Sequence, residues 1–197
     1  MLKFKNFSLC AALCASSLVL SMSAQAQITT ESPPEEMGWW DSAKGKVNKI
    51  LDDGDLSLMV AGHTHHGRGT YTKERIAELN ENTWGLGFSK AIRNQKDNEE
   101  SVYAMMISDS HFKPQPMAGY AYQWMQPLGD KVEVGGGLTG VLISRTDYFG
   151  GFPFPAILPI ASIGTRNTKL MATYVPRFSK NKGNGDVLFL FVRFDLK

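Results

Sequence analysis

Three residues have side chains that could do chemistry together: the adjacent pair Asp109-Ser110 and the more distant His66. A carboxylate, a hydroxyl and an imidazole are the materials of acyl transfer. The imidazole takes a proton from a hydroxyl, and a carboxylate orients the ring and stabilises the imidazolium that forms. Sequence patterning puts His66 near the outer end of one alternating strand and Asp109-Ser110 at the outer end of another, at the same depth. Neighbours in a strict strand face opposite ways. Both members of the pair can therefore serve one site only if the chain bends there, and Asp-Ser is a common turn-starting pair. His63 and His65 share the face opposite His66. With no cysteine or evident third ligand, they read as an interfacial pair, and no metal is expected.

The elements that must position these residues read as a small membrane barrel. Residues 1–26 have the form of an export signal: Lys3 and Lys5, an apolar stretch, then Ala24-Gln25-Ala26 at the cleavage site. Cys10 and Cys14 leave with it, so neither a disulfide nor thiolate chemistry is expected. The whole chain has 21 basic and 19 acidic residues, and the signal carries two of the lysines. The mature charge is thus about zero and gives no support to a nucleic-acid partner. Residues 27–55 form a linker and a short amphipathic helix. Trp39, Trp40, Ala43, Val47, Ile50 and Leu51 lie on one face of it, with Lys44, Lys46 and Lys49 towards the other, a pattern that suits a membrane interface.

From 56 to 197 the period changes to two. No segment there offers the ~18 consecutive apolar residues of a membrane helix. A spanning chain must then be a closed barrel, the form that satisfies every backbone group in lipid. Runs of about ten residues between turn signals occur near Leu56–Tyr71, Trp84–Ile92, Ser101–Asp109, Pro116–Met125, Val132–Ser144, Ile157–Gly164, Lys169–Phe178 and Gly185–Leu196. The expected fold is therefore all-β, an antiparallel transmembrane barrel of eight strands with an N-terminal interfacial helix. In the fourth run Ala118, Tyr120, Tyr122 and Trp124 suit lipid, while Met117, Gly119, Ala121 and Gln123 suit an interior with space in it. The last run would place Val187, Phe189 and Phe191 inside above Arg193 and Asp195. A half-apolar lumen of that kind suits an enclosed acyl chain better than a pore; an interior simply filled by side chains, which eight strands permit, is the equal alternative from patterning alone. On the first run, Leu58, Val60, Gly62, His66 and Arg68 form the face expected to turn inward.

These residues resemble the PagP family, outer-membrane lipid A palmitoyltransferases of Gram-negative bacteria. The resemblance runs from about Trp39 to Leu196. It is carried by His66-Gly67-Arg68, Trp84-Gly85-Leu86-Gly87-Phe88, Tyr103-Ala104-Met105, Asp109-Ser110 and Pro116-Met117-Ala118-Gly119-Tyr120. It continues through Pro153-Phe154-Pro155-Ala156-Ile157-Leu158-Pro159, Ala161-Ser162-Ile163-Gly164, Thr173-Tyr174-Val175-Pro176 and Arg193-Phe194. The resemblance implies transfer of a palmitoyl chain from a glycerophospholipid to lipid A, without a cofactor. The barrel would be a monomer in the outer membrane, with its active site towards the cell surface. The family's essential residues map onto His66, Asp109 and Ser110. His66 is expected to act as base and Asp109 to orient it, with Ser110 polarising the ester or serving as nucleophile. Gly119 and Ala121 would line the acyl site. Ala121 stands where the family has a glycine at the pocket floor, so the preferred chain is palmitate or slightly shorter. Pro159 and Pro176 match one pair of prolines that flank a gap in the barrel wall for sideways lipid access. Ala61 and Thr83 replace the other pair. An outer-membrane phospholipase and a non-catalytic lipid-binding barrel are the alternatives.

Overall fold

The computed structural model describes residues 38–146, 149–177 and 185–196. The expected signal segment, 1–26, and the linker from 27 to 37 lie outside the described residues.

Helix α1 (Trp39–Asp53) precedes eight strands: β1 (Asp55–His66), β2 (Gly85–Arg93), β3 (Glu99–Ser108), β4 (Pro114–Pro127), β5 (Glu133–Ile143), β6 (Phe154–Gly164), β7 (Thr168–Val175) and β8 (Val187–Asp195). A short helix, α2 (Lys73–Ala77), sits between β1 and β2. The strands close in sequence order, each antiparallel to the next, with β8 returning to β1. Every expected strand is present. The first is shorter than its pattern suggested, because Gly67–Tyr71 turns: Thr70 and Tyr71 both donate backbone N–H groups to Gly67 O at 3.0 Å.

Along α1 the spacing of Ala43, Val47 and Ile50 turns one stripe to the barrel, and Ile50 is fully buried. Gly54 lets the chain pass closely from helix to β1, since a Cβ there would lie 2.4 Å from Ile50 O. Lys90 of β2 caps the helix by donating from Nζ to Leu51 O. Trp39 and Trp40 stack on each other, 3.8 Å between ring centroids, and stay exposed.

The outer surface is apolar: Trp84, Leu86, Phe88, Trp124, Leu138, Leu142 and Ile157 all point out and are more than half exposed. Outward apolar side chains on a closed sheet are what lipid requires. No described helix is long and apolar enough to cross a membrane.

The interior is divided. Towards the end bearing α1 it is charged. Glu99 accepts from Arg193 at 2.6 and 3.1 Å and from Lys169 at 2.5 Å, and Lys169 also reaches Glu133 at 2.8 Å. Arg93 completes the cluster with Glu133 and with Glu99. Lys169 has no exposed side-chain surface at all. Towards the other, open end the interior is apolar, built from Met59, Met105, Ile107, Ile160, Phe189 and Phe191.

The inward face of β1 differs from the expectation. Ser57, Met59 and Ala61 point inward in place of Leu58, Val60 and Gly62, yet Thr64 and His66 also point inward. The register against β8 slips between Ala61 and His63. Gly62 is the extra residue of a β-bulge, which reverses the alternation at that point. Without the bulge His66 would face lipid.

Candidate active site

A cavity of about 570 Å³ opens at the end opposite α1, a size ordinary for a small-molecule site. Its walls are apolar, including Met105, Ile107, Val141, Leu158, Phe189 and Phe191. His66, Asp109 and Ser110 stand at its mouth.

His66 Nε2 lies 3.0 Å from Ser110 Oγ. The bend that this contact needs is supplied by Asp109. Its Oδ1 accepts backbone N–H groups from His111 and Lys113, both at 2.8 Å, while its own N–H donates to Lys113 O at 2.8 Å. Phe112 sits in the left-handed region within this turn, φ 61°, a conformation a non-glycine residue adopts only when its surroundings fix it. The turn ends the alternation, so buried Asp109 and partly buried Ser110 both border the cavity. Ser110 O is held from outside by Asn80 N–H at 2.9 Å.

The carboxylate beside the imidazole differs from the expected one. Asp109 makes no hydrogen bond to His66 among the described residues, and its Oδ1 is engaged by its own turn. Glu81 lies there instead, in the segment that leads into β2. Its Oε1 is 3.3 Å from His66 Nδ1 and accepts the His66 backbone N–H at 3.0 Å. Arg68 grips the same carboxylate through two nitrogens, at 2.9 and 2.7 Å. This paired hydrogen bonding pulls the Glu81 carboxyl down to about 2, so the group is an anion at any ordinary assay pH. Sequence reasoning missed Glu81. A polar residue in an irregular connection has no period to mark it, and only its contacts reveal it.

The floor also lies elsewhere. The cavity lining stops at Tyr103 and Thr139, whose hydroxyls meet at 2.7 Å. The Tyr103 ring covers Gly119, where a Cβ would come within 2.7 Å of the phenol oxygen. Ala121, the expected floor, is 2% exposed and packs in the core beneath Tyr103, outside the lining. Gly119 likewise makes room for Tyr103 and does not itself border the cavity. From Ser108, the last residue of β3, down to Tyr103 the strand covers roughly 17 Å at ~3.4 Å per residue.

The barrel wall is incomplete on one side. Pairing of β6 with β7 covers only Ile160↔Thr173 to Gly164↔Lys169. Among the described residues, β6 from Pro155 to Pro159 has ladder partners on β5 alone. Pro159 sits where this opening begins, and Pro176 follows directly after β7. The seam between β1 and β2 is different. Its ladder ends at Ala61↔Gly85, but Thr64 N–H then reaches Glu81 O at 2.9 Å and the Thr64 and Thr83 hydroxyls bond to each other.

His63 and His65 lie with their rings 6.4 Å apart. No group of three or more potential metal ligands occurs among the described residues.

Comparison with known proteins points one way. Residues 46–193 match the family described as "Antimicrobial peptide resistance and lipid A acylation protein PagP". The chain is 38% identical over 161 residues to "Lipid A acyltransferase PagP" of Bordetella pertussis (strain Tohama I), covering 80% of this chain and 87% of the relative. It is 35% identical over 178 residues to the protein of that name from Methylobacillus flagellatus, covering 90% and 92%. For that of Legionella pneumophila the figures are 32% over 180 residues, covering 90% and 93%. Among solved structures, the Yersinia pestis outer membrane protein Ail in a phospholipid bilayer nanodisc has TM-score 0.39 and 12% identity, covering 73% of this chain and 100% of that one. That likeness is too slight to add to the argument. With the family matched across nearly the whole barrel, this chain belongs to the PagP family and is an outer-membrane lipid A acyltransferase.

Proposed function

We propose that this enzyme transfers an acyl chain of about palmitate length from a glycerophospholipid to a hydroxyl of lipid A. It acts as a single barrel whose open end faces the cell surface. The observation that supports this reading most directly is the 3.0 Å contact between His66 Nε2 and Ser110 Oγ at the mouth of an apolar cavity. The donor's acyl chain lies in the cavity with its ester at the mouth. His66 takes the proton from the attacking hydroxyl, whose oxygen bonds to the ester carbon. The bond from that carbon to the glycerol oxygen breaks, and His66 returns the proton to that oxygen, releasing a lysophospholipid. If Ser110 attacks first, the same cycle runs twice through a serine ester. Asp109 contributes by shaping the turn that aims Ser110. The donor reaches the cavity through the gap between β6 and β7 beside Pro159 and Pro176.

Mass spectrometry of lipid A from cells with and without the protein is the direct test. A gain of one palmitoyl mass is expected. An unchanged lipid A profile at full expression would remove the reading.

The floor carries its own prediction. Replacing Tyr103 with leucine should shift the preferred donor towards chains longer by about two carbons, since a close-packed interior offers that space to nothing else. Ala121→Gly alone should leave the preference in place, because Tyr103 shields it. Donor competition between defined phospholipids reads both. A shift in the Ala121 variant alone would return the floor to Ala121.

A further inference from the structure

The base needs its ring held and its tautomer chosen, and the residue expected to do this is occupied elsewhere. We propose that Glu81, clamped by Arg68, is the positioning residue of His66, accepting the Nδ1 proton so that Nε2 is left free to take a proton from a hydroxyl. The inference rests on His66 being the base, as set out above.

Four contacts converge on this carboxylate. Oε1 meets both His66 Nδ1 and the His66 backbone N–H, and both oxygens meet Arg68. Arg68 Nη1 also donates to His66 O at 3.3 Å, so the three residues form a closed ring of hydrogen bonds. The Nδ1 contact, 3.3 Å, lies at the long end of the hydrogen-bond range. Stability is a poor explanation for the clamp. The Arg68 side chain is 51% exposed, and a pair so open to water contributes at most about 1 kcal/mol. What the clamp does is hold an anion in place. It fixes two carboxylate oxygens in one plane, as paired guanidinium bonding does, and presents one of them to a ring that is almost wholly buried. Tyr71 packs against the same ring in a T-shaped arrangement, 5.2 Å between centroids. One loop addresses both halves of the site: Asn80 holds the Ser110 carbonyl, and Glu81 holds His66.

Glu81→Gln removes the charge and keeps the size and the acceptor for the His66 backbone. It is expected to lower kcat by about 10²-fold or more, as loss of an orienting carboxylate does elsewhere. KM for the donor should change less than about threefold, since the cavity is untouched. Glu81→Asp should recover part of the loss. NMR of ¹⁵N-labelled imidazole should show Nε2 unprotonated in the wild-type enzyme above the His66 titration, and a mixture of tautomers in the glutamine variant. His66→Ala is assayed alongside. If that variant is dead and Glu81→Gln keeps near-full kcat, the Glu81 role is overturned and the proposed function stands. If His66→Ala retains transfer, the functional reading itself fails. Should the glutamine variant not fold, the wild-type spectrum alone decides: a protonated Nε2 in the unliganded enzyme overturns the inference.

Discussion

Replacing His66 with alanine is expected to lower acyl transfer to lipid A by about 10²- to 10⁴-fold, the usual contribution of a positioned base, while the barrel still closes. The ring is buried at the mouth of the cavity and anchors no strand ladder through its side chain. What the substitution removes is the proton acceptor 3.0 Å from Ser110 Oγ. Retained heat-sensitive migration in electrophoresis would show that the variant folds, and initial rates with a labelled donor would give the loss. Ser110→Ala discriminates between the two routes. If Ser110 is the nucleophile, its loss should match that of His66, and the double variant should be no worse than either single one, since parts of one machine are not additive. If Ser110 only polarises the ester, its loss should be nearer 10²-fold, and no serine ester should be trapped in the wild-type enzyme.

The second large effect concerns folding. Glu99→Gln should destabilise the barrel by about 3–5 kcal/mol, because breaking a buried ion pair leaves its partner charged and unsolvated. Here the partner that loses its paired carboxylate contacts is buried Arg193, while buried Lys169 keeps Glu133 at 2.8 Å and Arg93 stands close behind at 3.3 Å from Glu99. Urea unfolding in detergent would show the shift. Substituting Glu99, Lys169 and Arg193 together by apolar residues of similar volume should restore most of the stability, since well-packed apolar groups commonly match a buried ion cluster. If Glu99→Gln unfolds at the wild-type midpoint, water must reach the cluster and screen it.

Period and punctuation made most of this fold legible. Strands β2 to β8 follow their alternation because each has one face in lipid and one in the lumen, so a single error of face would be costly at every position. On β4 the inward set of Ala121 and Gln123 is as expected, and on β8 so is the change from Phe189 and Phe191 to Arg193. The bulge at Gly62 was not legible, because alternation read through it gives a consistent but reversed face. The facing problem at Asp109-Ser110 was legible as a problem; its solution needed the turn to His111 and Lys113. Glu81 and Tyr103 were hidden for different reasons. Glu81 lies in a connection without a period, and the reach of a tyrosine ring across a neighbouring glycine is set by a rotamer, which no spacing encodes.

A closed barrel ordinarily has no edge, but among the described residues β6 gives this one an edge over Pro155 to Pro159. Bare edges invite other strands to add on, and a long flat one is a point where molecules join by accident. Within or beside this stretch stand Pro155, Pro159 and Pro176, which have no N–H to offer a newcomer. The residues that leave the wall open thereby also keep it from being mended by the wrong partner. A gap in a sheet persists in a crowded membrane only if nothing can zip it shut, and proline meets both needs with one missing hydrogen.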